Sequence, residues 1–431
     1  MKRNIKLCIF LLAAMLLPAA CNNSGNGGQA VVTATPTPGV QVTATPTPAL
    51  IQEIQAEHED GVYEFEIKND GEATEGMKFV KNLGIGWNLG NTFDAFVDDH
   101  PEAEDLWYET CWQEDVTTRE HIALVKKEGF TSIRIPVSWH NHVTGDDFKI
   151  NEAWMNRVKE VVDWSLEEGL YVIINTHHDV YPEFYYPSNE YLDNSLKYVT
   201  SIWKQVSEKF ADYDNRLIFE SLNEPRLKDN ANEWNPNTKN AAVREAVECI
   251  YKMNQAFVDT VRASGKNNAE RFLLVPGYDA APDGVLNDYF VLPADSATDR
   301  LIISVHAYTP YNFCLQAESE SGSIRDFDAS DSSSTKDVDY FMDRLYDKFT
   351  SKNIPVLIGE FGARDKSMNT ESRRQWAGYY VAKARSLGMS CMWWDNNCFV
   401  TGTGEDLGLL DRFLNVWRYK EIIDAMMLNC K

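Results

Sequence analysis

Leu217-Ile218-Phe219-Glu220-Ser221-Leu222 runs directly into Asn223-Glu224-Pro225, and the architecture of the chain can be inferred from this stretch. Its first six residues form an apolar run typical of a strand buried on both faces of a parallel sheet. Ile354-Pro355-Val356-Leu357-Ile358 has the same character and ends in Gly359-Glu360-Phe361-Gly362. Carboxylates seldom stand where a hydrophobic strand enters a loop unless something pairs with them, and α/β barrels carry their functional groups at that strand end.

Strand-like and helix-like segments alternate after residue 80. Eight strands are predicted at 83–87, 132–137, 171–176, 217–222, 272–276, 301–305, 355–358 and 390–394. Helices are predicted at 119–128, 152–168, 195–210, 241–263, 338–350, 371–386 and 416–428. This alternation predicts an α/β fold, a (β/α)8 TIM barrel in a single domain. An open doubly wound sheet is the alternative, because segment 278–298 is short and rich in Pro, Gly and Asp.

Polar side chains collect at one end of the predicted strands. They are Arg134, His177, His178, Asn223, Glu224, His306, Tyr308, Glu360, Trp393 and Trp394. All would meet at the carboxyl-terminal mouth of a barrel. Glu224 and Glu360 follow the fourth and seventh strands, which face each other, so one is expected to act as an acid and the other as a nucleophile. Carboxyl groups about 5 Å apart permit direct attack, whereas about 6.5–9.5 Å leaves room for a water.

Arg134 is expected to hold one of the two glutamates ionised, while drier surroundings keep the other protonated. The alternative is that Arg134 and Glu360 form a buried ion pair without a chemical role. His177 and His178 allow a metal site as an alternative to a role in the cleft. Neighbouring strand residues face opposite sides of a sheet, so the two are not expected to reach one metal. We therefore expect neither a metal nor a cofactor.

The chain contains twelve tryptophans, which suit a cleft that binds sugars, because aromatic planes pack against the flat faces of pyranose rings. Trp394, at the last strand end, is the best candidate. Trp112 and Trp139 follow, in loops near the mouth, and for these two core packing is an equal alternative.

The composition excludes some partners. With 65 acidic and 41 basic residues the formal net charge is −24, which argues against nucleic acid and anionic lipid surfaces. The six cysteines after Cys21 show no CxxC spacing, so a metal site built from them is not expected. Their pairing stays open.

Residues 1–20 have the layout of an export signal, with a basic start, an apolar run and small residues before Cys21. The segment from Leu17 to Cys21 resembles a bacterial lipoprotein signal, which implies that Cys21 is lipidated. Pro18 departs from that pattern, so ordinary secretion is the alternative. Residues 21–50 form a Thr/Pro-rich linker, and residues 51–431 are expected to form the catalytic domain. We expect an extracellular or cell-surface protein that touches the membrane only through Cys21.

Several motifs in the same order resemble glycoside hydrolase family 5, the cellulase family, over residues 75–425. The motifs are Gly86-Trp87-Asn88-Leu89-Gly90-Asn91-Thr92-Phe93-Asp94, Ile133-Arg134-Ile135-Pro136, His177-His178, Leu222-Asn223-Glu224-Pro225, His306-Ala307-Tyr308, Ile358-Gly359-Glu360-Phe361-Gly362 and Trp393-Trp394-Asp395-Asn396. The opening block, with Glu109-Thr110-Cys111-Trp112, is most similar to subfamily 4.

The resemblance implies that Glu224 is the general acid/base and Glu360 the nucleophile of a retaining reaction. It further implies that Asn223 bonds the 2-hydroxyl of the reacting sugar and that Arg134 and Tyr308 position Glu360. His178 and His306 would line the reacting subsite, with His177 beside them and Trp394 under the sugar. Asn91, in the opening block, is a further substrate-binding candidate.

The expected activity is that of a retaining endo-β-1,4-glucanase acting as a monomer on β-glucan polysaccharides. Xyloglucan-specific or mixed-linkage glucanase activity is the alternative within the family. An alternative of another class is a surface glycan-binding protein without catalytic activity, although such a protein has no need for both glutamates.

Overall fold

Eight parallel strands close into a barrel in the computed structural model, which describes residues 61–98, 105–400 and 405–430. In chain order they are β1 Ile85–Leu89, β2 Ser132–Ile135, β3 Tyr171–Asn175, β4 Leu217–Glu220, β5 Leu273–Pro276, β6 Leu301–His306, β7 Val356–Phe361 and β8 Ser390–Asp395. Each strand pairs with the next, and β8 pairs with β1 from Ile85 opposite Cys391 to Leu89 opposite Asp395. The predicted (β/α)8 barrel is confirmed, and the open-sheet alternative is wrong.

Helices surround the barrel. The α-helices of the described residues are α1 Glu75–Leu83, α2 Arg119–Lys127, α3 Glu152–Glu167, α4 Leu192–Lys209, α5 Ala241–Ala263, α6 Pro282–Leu286, α7 Tyr311–Cys314, α8 Ser332–Lys348, α9 Thr370–Ser386 and α10 Lys420–Asn429. Short 3-10 helices lie at Asp105–Thr110, His140–His142, Lys266–Ala269, Tyr278–Ala280 and Thr350–Lys352. Two small antiparallel ribbons pair Val143–Thr144 with Lys149–Ile150 and Leu410–Asp411 with Val416–Trp417.

Two of the helix starts that differ from the prediction have local causes. Helix α8 begins at Ser332 rather than at residue 338, because the side chain of Asp331 caps it by accepting the Ser333 N–H at 2.9 Å. The last predicted helix begins at Lys420 rather than at residue 416, because Val416–Trp417 is a ribbon strand. In the segment between β5 and β6 the α-helical structure is limited to α6.

Helix α1, which was not predicted, closes the amino-terminal end of the barrel. Thr74 caps it by accepting the Met77 N–H at 3.3 Å. Its residues Phe79, Val80 and Leu83 join a cluster of residues from six barrel strands. Those residues are Ile173, Ile218, Leu274, Ile302, Leu357 and Met392. The lower half of the barrel interior is therefore apolar.

The upper half of the interior is polar. Five fully buried residues, which we call the polar layer, are Asn88, Arg134, Asn175, Glu220 and Ser304. Glu220 follows Ile218 of the apolar cluster by two residues, and Ser304 follows Ile302 by two. Because strand side chains alternate between the two faces, the same strands supply the apolar layer below and the polar layer above.

The predicted export signal, Cys21 and the linker lie outside the described residues, as do residues 51–60 of the predicted catalytic domain. In the described part of the chain, no helix has the length and apolar character needed to cross a membrane. Cys111, Cys249, Cys314 and Cys391 carry free thiols.

Candidate active site

Glu360 lies near the carboxyl-terminal end of β7, and each of its carboxylate oxygens accepts a hydrogen bond. Arg134 Nη1 donates to Oε1 at 2.7 Å, and the Tyr308 hydroxyl donates to Oε2 at 2.8 Å. Burial and the charge of Glu360 raise the pKa of Tyr308 well above its usual value, so this hydroxyl keeps the proton that it donates. Two hydrogen bonds, one of them charge-assisted, therefore fix the orientation of the Glu360 carboxylate.

Glu224 follows β4 and pairs with the ring of His306. His306 Nδ1 lies 2.9 Å from Glu224 Oε1, and Arg226 Nη1 lies 3.7 Å from Oε2. Burial disfavours the carboxylate, but the hydrogen bond to His306 and the charges of His306 and Arg226 outweigh it and lower the pKa of Glu224 to about 2. Burial also lowers the pKa of His306, but the charge of Glu360 and the hydrogen bond to Glu224 more than offset this and raise it.

This pairing corrects one expectation. Drier surroundings were expected to keep one of the two glutamates protonated, and this is wrong for Glu224, whose pKa is lowered. Its side chain is 19% exposed, but its partners are an imidazole and a guanidinium that both favour the anion. Because the pKa of Glu224 is lowered and that of His306 is raised, the imidazole holds the proton that the two groups share.

The two glutamates converge on one point. One oxygen of each carboxylate and one ring nitrogen of His306 all lie within 4.8 Å of one another. His306 Nδ1 is also 3.6 Å from Glu360 Oε1, so the ring lies between the two acids. An inverting arrangement needs about 6.5–9.5 Å between the carboxyl groups to accommodate a water. The shorter spacing fits direct attack by one carboxylate.

Arg134 links Glu360 to the polar layer and to Asn223. It donates to Glu220 from Nε at 2.7 Å, to Asn88 from Nη1 at 3.0 Å and to Asn223 from Nη2 at 2.7 Å. Because Arg has only donors, the atom of Asn223 that faces it is the amide oxygen. The NH2 group of Asn223 is then available for a ligand. Arg134 thus does more than form an ion pair with Glu360.

His177 and His178 lie side by side, with ring centroids 4.4 Å apart. Their ring nitrogens and a carboxylate oxygen of Asp94 lie within 4.8 Å of one another, so the prediction that they cannot reach one point is wrong. Both residues follow Asn175, the last residue of β3, and strand alternation no longer applies there. This trio and the Glu224–His306–Glu360 trio are the groups with metal-ligand spacing among the described residues. Burial lowers the pKa of both histidines, that of His178 to about 3, so both rings are neutral.

The three candidate tryptophans occupy different environments. Trp394 is 7% exposed and stacks on His177, with centroids 5.6 Å apart and planes 7° from parallel. Trp112 is half-buried, and its ring centroid lies 5.5 Å from that of His178. Trp139 is fully buried, and its Nε1 donates to the backbone of β3 at 2.9 Å. The structure therefore places Trp139 in the core, where it presents no face to a ligand.

Several groups that shape the site were not predicted. Asp94 is fully buried and accepts the N–H groups of Asn91 at 3.1 Å and Thr92 at 2.8 Å. Burial raises the pKa of Asp94 to about 7. Asn91, a predicted site residue, has a left-handed backbone with φ of 57° that directs its N–H to Asp94. Trp234 is 53% exposed, and its ring centroid lies 4.1 Å from the guanidinium carbon of Arg226, the residue that approaches Glu224.

The members of the polar layer other than Arg134 were also not predicted as site residues. One signal was available for Glu220, because a buried arginine needs a carboxylate and Glu220 shares the inward face of its strand with Ile218. Asn88 and Ser304 carried no such signal, since a buried amide or hydroxyl in a barrel strand is equally compatible with a purely structural hydrogen bond.

A closed barrel that presents two converging glutamates at its carboxyl-terminal mouth has the architecture of a carboxylate-dependent glycoside hydrolase. The model of the cellulase family, glycosyl hydrolase family 5, matches residues 101–399. The chain belongs to this family.

Solved structures and curated relatives agree with this assignment. A family 5 lichenase from Caldicellulosiruptor sp. F32 is 53% identical, with a TM-score of 0.84, and the match covers 86% of this chain and 99% of that one. A subfamily 4 broad specificity endoglucanase from Ruminococcus champanellensis, solved with bound cellotriose, is 39% identical, with a TM-score of 0.75, over 83% of this chain and all of that one. Endoglucanase A of Clostridium longisporum is 40% identical over 82% of this chain, which spans 66% of that relative.

Proposed function

We propose that this protein is a retaining endo-β-1,4-glucanase. The observation that carries the proposal is the convergence of Glu224 and Glu360 to an oxygen spacing within 4.8 Å, with Glu360 held by Arg134 and Tyr308. The similarity to proteins described as endoglucanases and as a lichenase supports the same substrate class.

The proposed reaction uses the two carboxylates in turn. Glu360 attacks the anomeric carbon while Glu224, protonated within its pair with His306, gives a proton to the departing glycosidic oxygen. The carbon–oxygen bond to the leaving sugar breaks as the bond to Glu360 forms. Glu224 then takes a proton from a water that attacks the glycosyl-enzyme, which releases the sugar with net retention and regenerates Glu360. The NH2 of Asn223 is placed to donate to the 2-hydroxyl of the reacting sugar.

The activity is tested by measuring new reducing ends on carboxymethyl cellulose, barley mixed-linkage glucan, xyloglucan and mannan. We expect cleavage of the β-glucans, and no cleavage of any polymer would refute the proposal. Glu360→Gln should lower kcat at least ~10⁴-fold, the scale of losing a covalent nucleophile, because the amide cannot attack. Asp295→Asn is the matched control, because it also replaces a buried carboxylate with an amide. Asp295 pairs with Arg262, and both residues are far from the two glutamates in sequence, so this variant should stay active.

Mixed-linkage β-glucan is the second candidate substrate, favoured by the 53% identity to a lichenase. Cleavage of barley glucan that is as fast as or faster than that of carboxymethyl cellulose would assign a preference for mixed-linkage glucan. Preferential cleavage of xyloglucan would assign a third candidate activity, that of a xyloglucanase. Calorimetric binding of glucan without any product would instead indicate a glycan-binding protein.

We further propose that the protein acts outside the cell as a monomer, tethered through a lipidated Cys21 and the Thr/Pro-rich linker. The sequence around Cys21 and the linker composition support this location. The test is the phase separation of a detergent extract of expressing cells. Wild-type protein should partition into the detergent phase, and the Cys21→Ser variant should partition into the aqueous phase. Wild-type protein found only in the medium would favour ordinary secretion.

A further inference from the structure

Glu220 is a carboxylate inside the barrel that the proposed reaction does not use. It is fully buried at the end of β4, four residues before Glu224. Its Oε2 accepts from Arg134 Nε at 2.7 Å and from Asn175 Nδ2 at 3.0 Å, and its Oε1 accepts from the Ser304 hydroxyl at 2.6 Å. All of its hydrogen-bond partners are members of the polar layer.

Arg134 is shared between two carboxylates. Its Nε faces Glu220, and its Nη1 faces Glu360, both at 2.7 Å. A guanidinium is planar and rigid, so the position of Nε determines where Nη1 and Nη2 point. Glu220 therefore fixes the plane of Arg134, and this plane fixes both Glu360 and the amide of Asn223.

The charge balance leads to the same conclusion. Two carboxylates share one guanidinium, so neither is fully neutralised by it. Without the charge of Glu220, the guanidinium would act on Glu360 alone, and a carboxylate that is more strongly stabilised as an anion is a weaker nucleophile. The other groups that act on Glu360 are His306, Tyr308, Glu224, Asp94 and Glu405.

We propose that Glu220 is a positioning residue for the nucleophile: it orients Arg134 and takes part of its charge, so that Glu360 is both correctly aimed and reactive. This inference rests on the proposed function, because it concerns the same reaction. The competing explanation is a structural ion pair that serves only to neutralise a buried arginine.

Two substitutions separate charge from orientation. Glu220→Gln can keep all three hydrogen bonds, because an amide oxygen can face Arg134 and Asn175 while the amide NH2 donates to Ser304, so only the charge is lost. Glu220→Asp keeps the charge but withdraws the oxygens from Arg134 by one methylene. Asp295→Asn is the control for Glu220→Gln, because it also replaces a buried carboxylate with an amide. Arg262 donates to the Asp295 carboxylate from Nε and Nη2, both at 2.7 Å.

The assay is hydrolysis of a chromogenic aryl β-cellobioside between pH 3 and 10. With Glu220→Gln we expect the acid limb of kcat/KM to move to lower pH by about one unit, because the attacking carboxylate loses a neighbouring like charge. Its kcat should fall about tenfold, with KM changed less than twofold. Glu220→Asp should leave the acid limb in place and lower kcat at least tenfold. Asp295→Asn should change neither quantity.

The outcomes distinguish the two proposals. A wild-type protein that cleaves no glycoside refutes the proposed function. An active wild type with an unmoved acid limb in Glu220→Gln, or unchanged kcat in Glu220→Asp, overturns the role of Glu220 and leaves the function standing. Because Glu220→Asp keeps Arg134 paired, it decides the question if Glu220→Gln does not fold. Melting temperatures of all three variants identify losses caused by unfolding.

Discussion

The acid of the proposed reaction is a pair of residues rather than a single carboxyl. His306 lies 2.9 Å from Glu224 and 3.6 Å from Glu360, so its proton is attracted by both carboxylates. When Glu360 is consumed in the glycosyl-enzyme its charge disappears, so the pair, which has given its proton to the leaving sugar, has less tendency to be reprotonated from solvent. This change suits the second step, in which Glu224 must act as a base.

The pair makes stability depend on pH. The pKa of Glu224 is lowered from 4.5 to about 2, so its contribution is complete above pH 4.5 and is lost as the pH falls toward 2. The pKa of His306 is raised above 6.5, so its contribution is present below pH 6.5 and is lost as the pH rises through the raised value. The pair therefore stabilises the fold most between pH 4.5 and 6.5.

His306→Asn removes the titrating charge and keeps a donor. We expect the free energy of unfolding to fall by about 2 kcal/mol at pH 5.5, the scale of a hydrogen bond to a charged group, and by much less at pH 9. Urea unfolding at both pH values measures the difference. An equal loss at both values would show that the charge of His306 contributes nothing.

At the residue scale, the sequence predicted the groups whose chemistry is visible in a motif and missed those defined by their partners. Glu224 and Glu360 follow apolar runs and were predicted as site residues, and the structure brings their carboxylates together. The ionised state of Glu224 depends on His306 and Arg226, and only the closed barrel brings the first of these to it. Spacing alone carries no information on such a contact.

At the element scale, Arg271 ties the amino-terminal ends of the strands together. It is fully buried just before β5, and burial lowers the pKa of its guanidinium to about 10. Its Nε donates to the Asn268 side chain, and its Nη1 and Nη2 donate to four backbone carbonyls. Those carbonyls belong to Phe210, Tyr213, Asp214 and Leu217. The end of α4, the turn after it and the start of β4 are thus fixed by one side chain.

Arg271→Met should lower the free energy of unfolding by at least ~3 kcal/mol, because it leaves buried carbonyls without donors. Its kcat at 25 °C should match wild type, since the site lies at the opposite end of the barrel. Arg300→Met is the control. The Arg300 guanidinium also lies over a phenylalanine ring, as that of Arg271 does, and it donates to three backbone carbonyls. Because Arg300 is partly exposed, its loss should cost about 1 kcal/mol or less. Equal losses in urea unfolding would contradict this account.

The elements that were predicted well are those with a clear hydrophobic pattern, either a helical repeat or a continuous apolar run. Helix α5 has the predicted bounds, and all eight barrel strands lie where apolar runs predicted them, with ends shifted by a few residues. Among the elements that were not predicted, α1 is a short helix whose apolar residues cover the bottom of the barrel, and the need for such a cover exists only once the barrel has closed. Helix α8 begins earlier than its apolar pattern predicts, because Asp331 caps a first turn of serines that has no apolar residues to mark it.

At the scale of the whole molecule, the two ends of the described chain are joined to each other beside the barrel. Helix α10 packs on α9, and Asn429 at its end accepts the Tyr63 N–H at 2.8 Å and donates to the Gly61 carbonyl at 3.0 Å. Gly378 on α9 permits this approach, because a Cβ there would lie 2.9 Å from Tyr63 and 3.1 Å from Asn429. No sequence pattern indicates a contact between residues 366 positions apart.

Asn429→Ala should therefore loosen the molecule where its ends meet without altering its chemistry. The substitution leaves a buried N–H and a buried carbonyl unpaired, so we expect a loss of about 2–4 kcal/mol in the free energy of unfolding, with kcat unchanged at 25 °C. Asn235→Ala, at an exposed loop position, should cost less than about 0.5 kcal/mol.

Hydrogen exchange provides the specific test. Amides of residues 61–65 and α10 should lose protection in Asn429→Ala, whereas those of β4 and β7 should keep it. Uniform loss across the barrel would mean that the joined ends and the active-site strands unfold as one unit, and the separation drawn here between stability and catalysis would not hold.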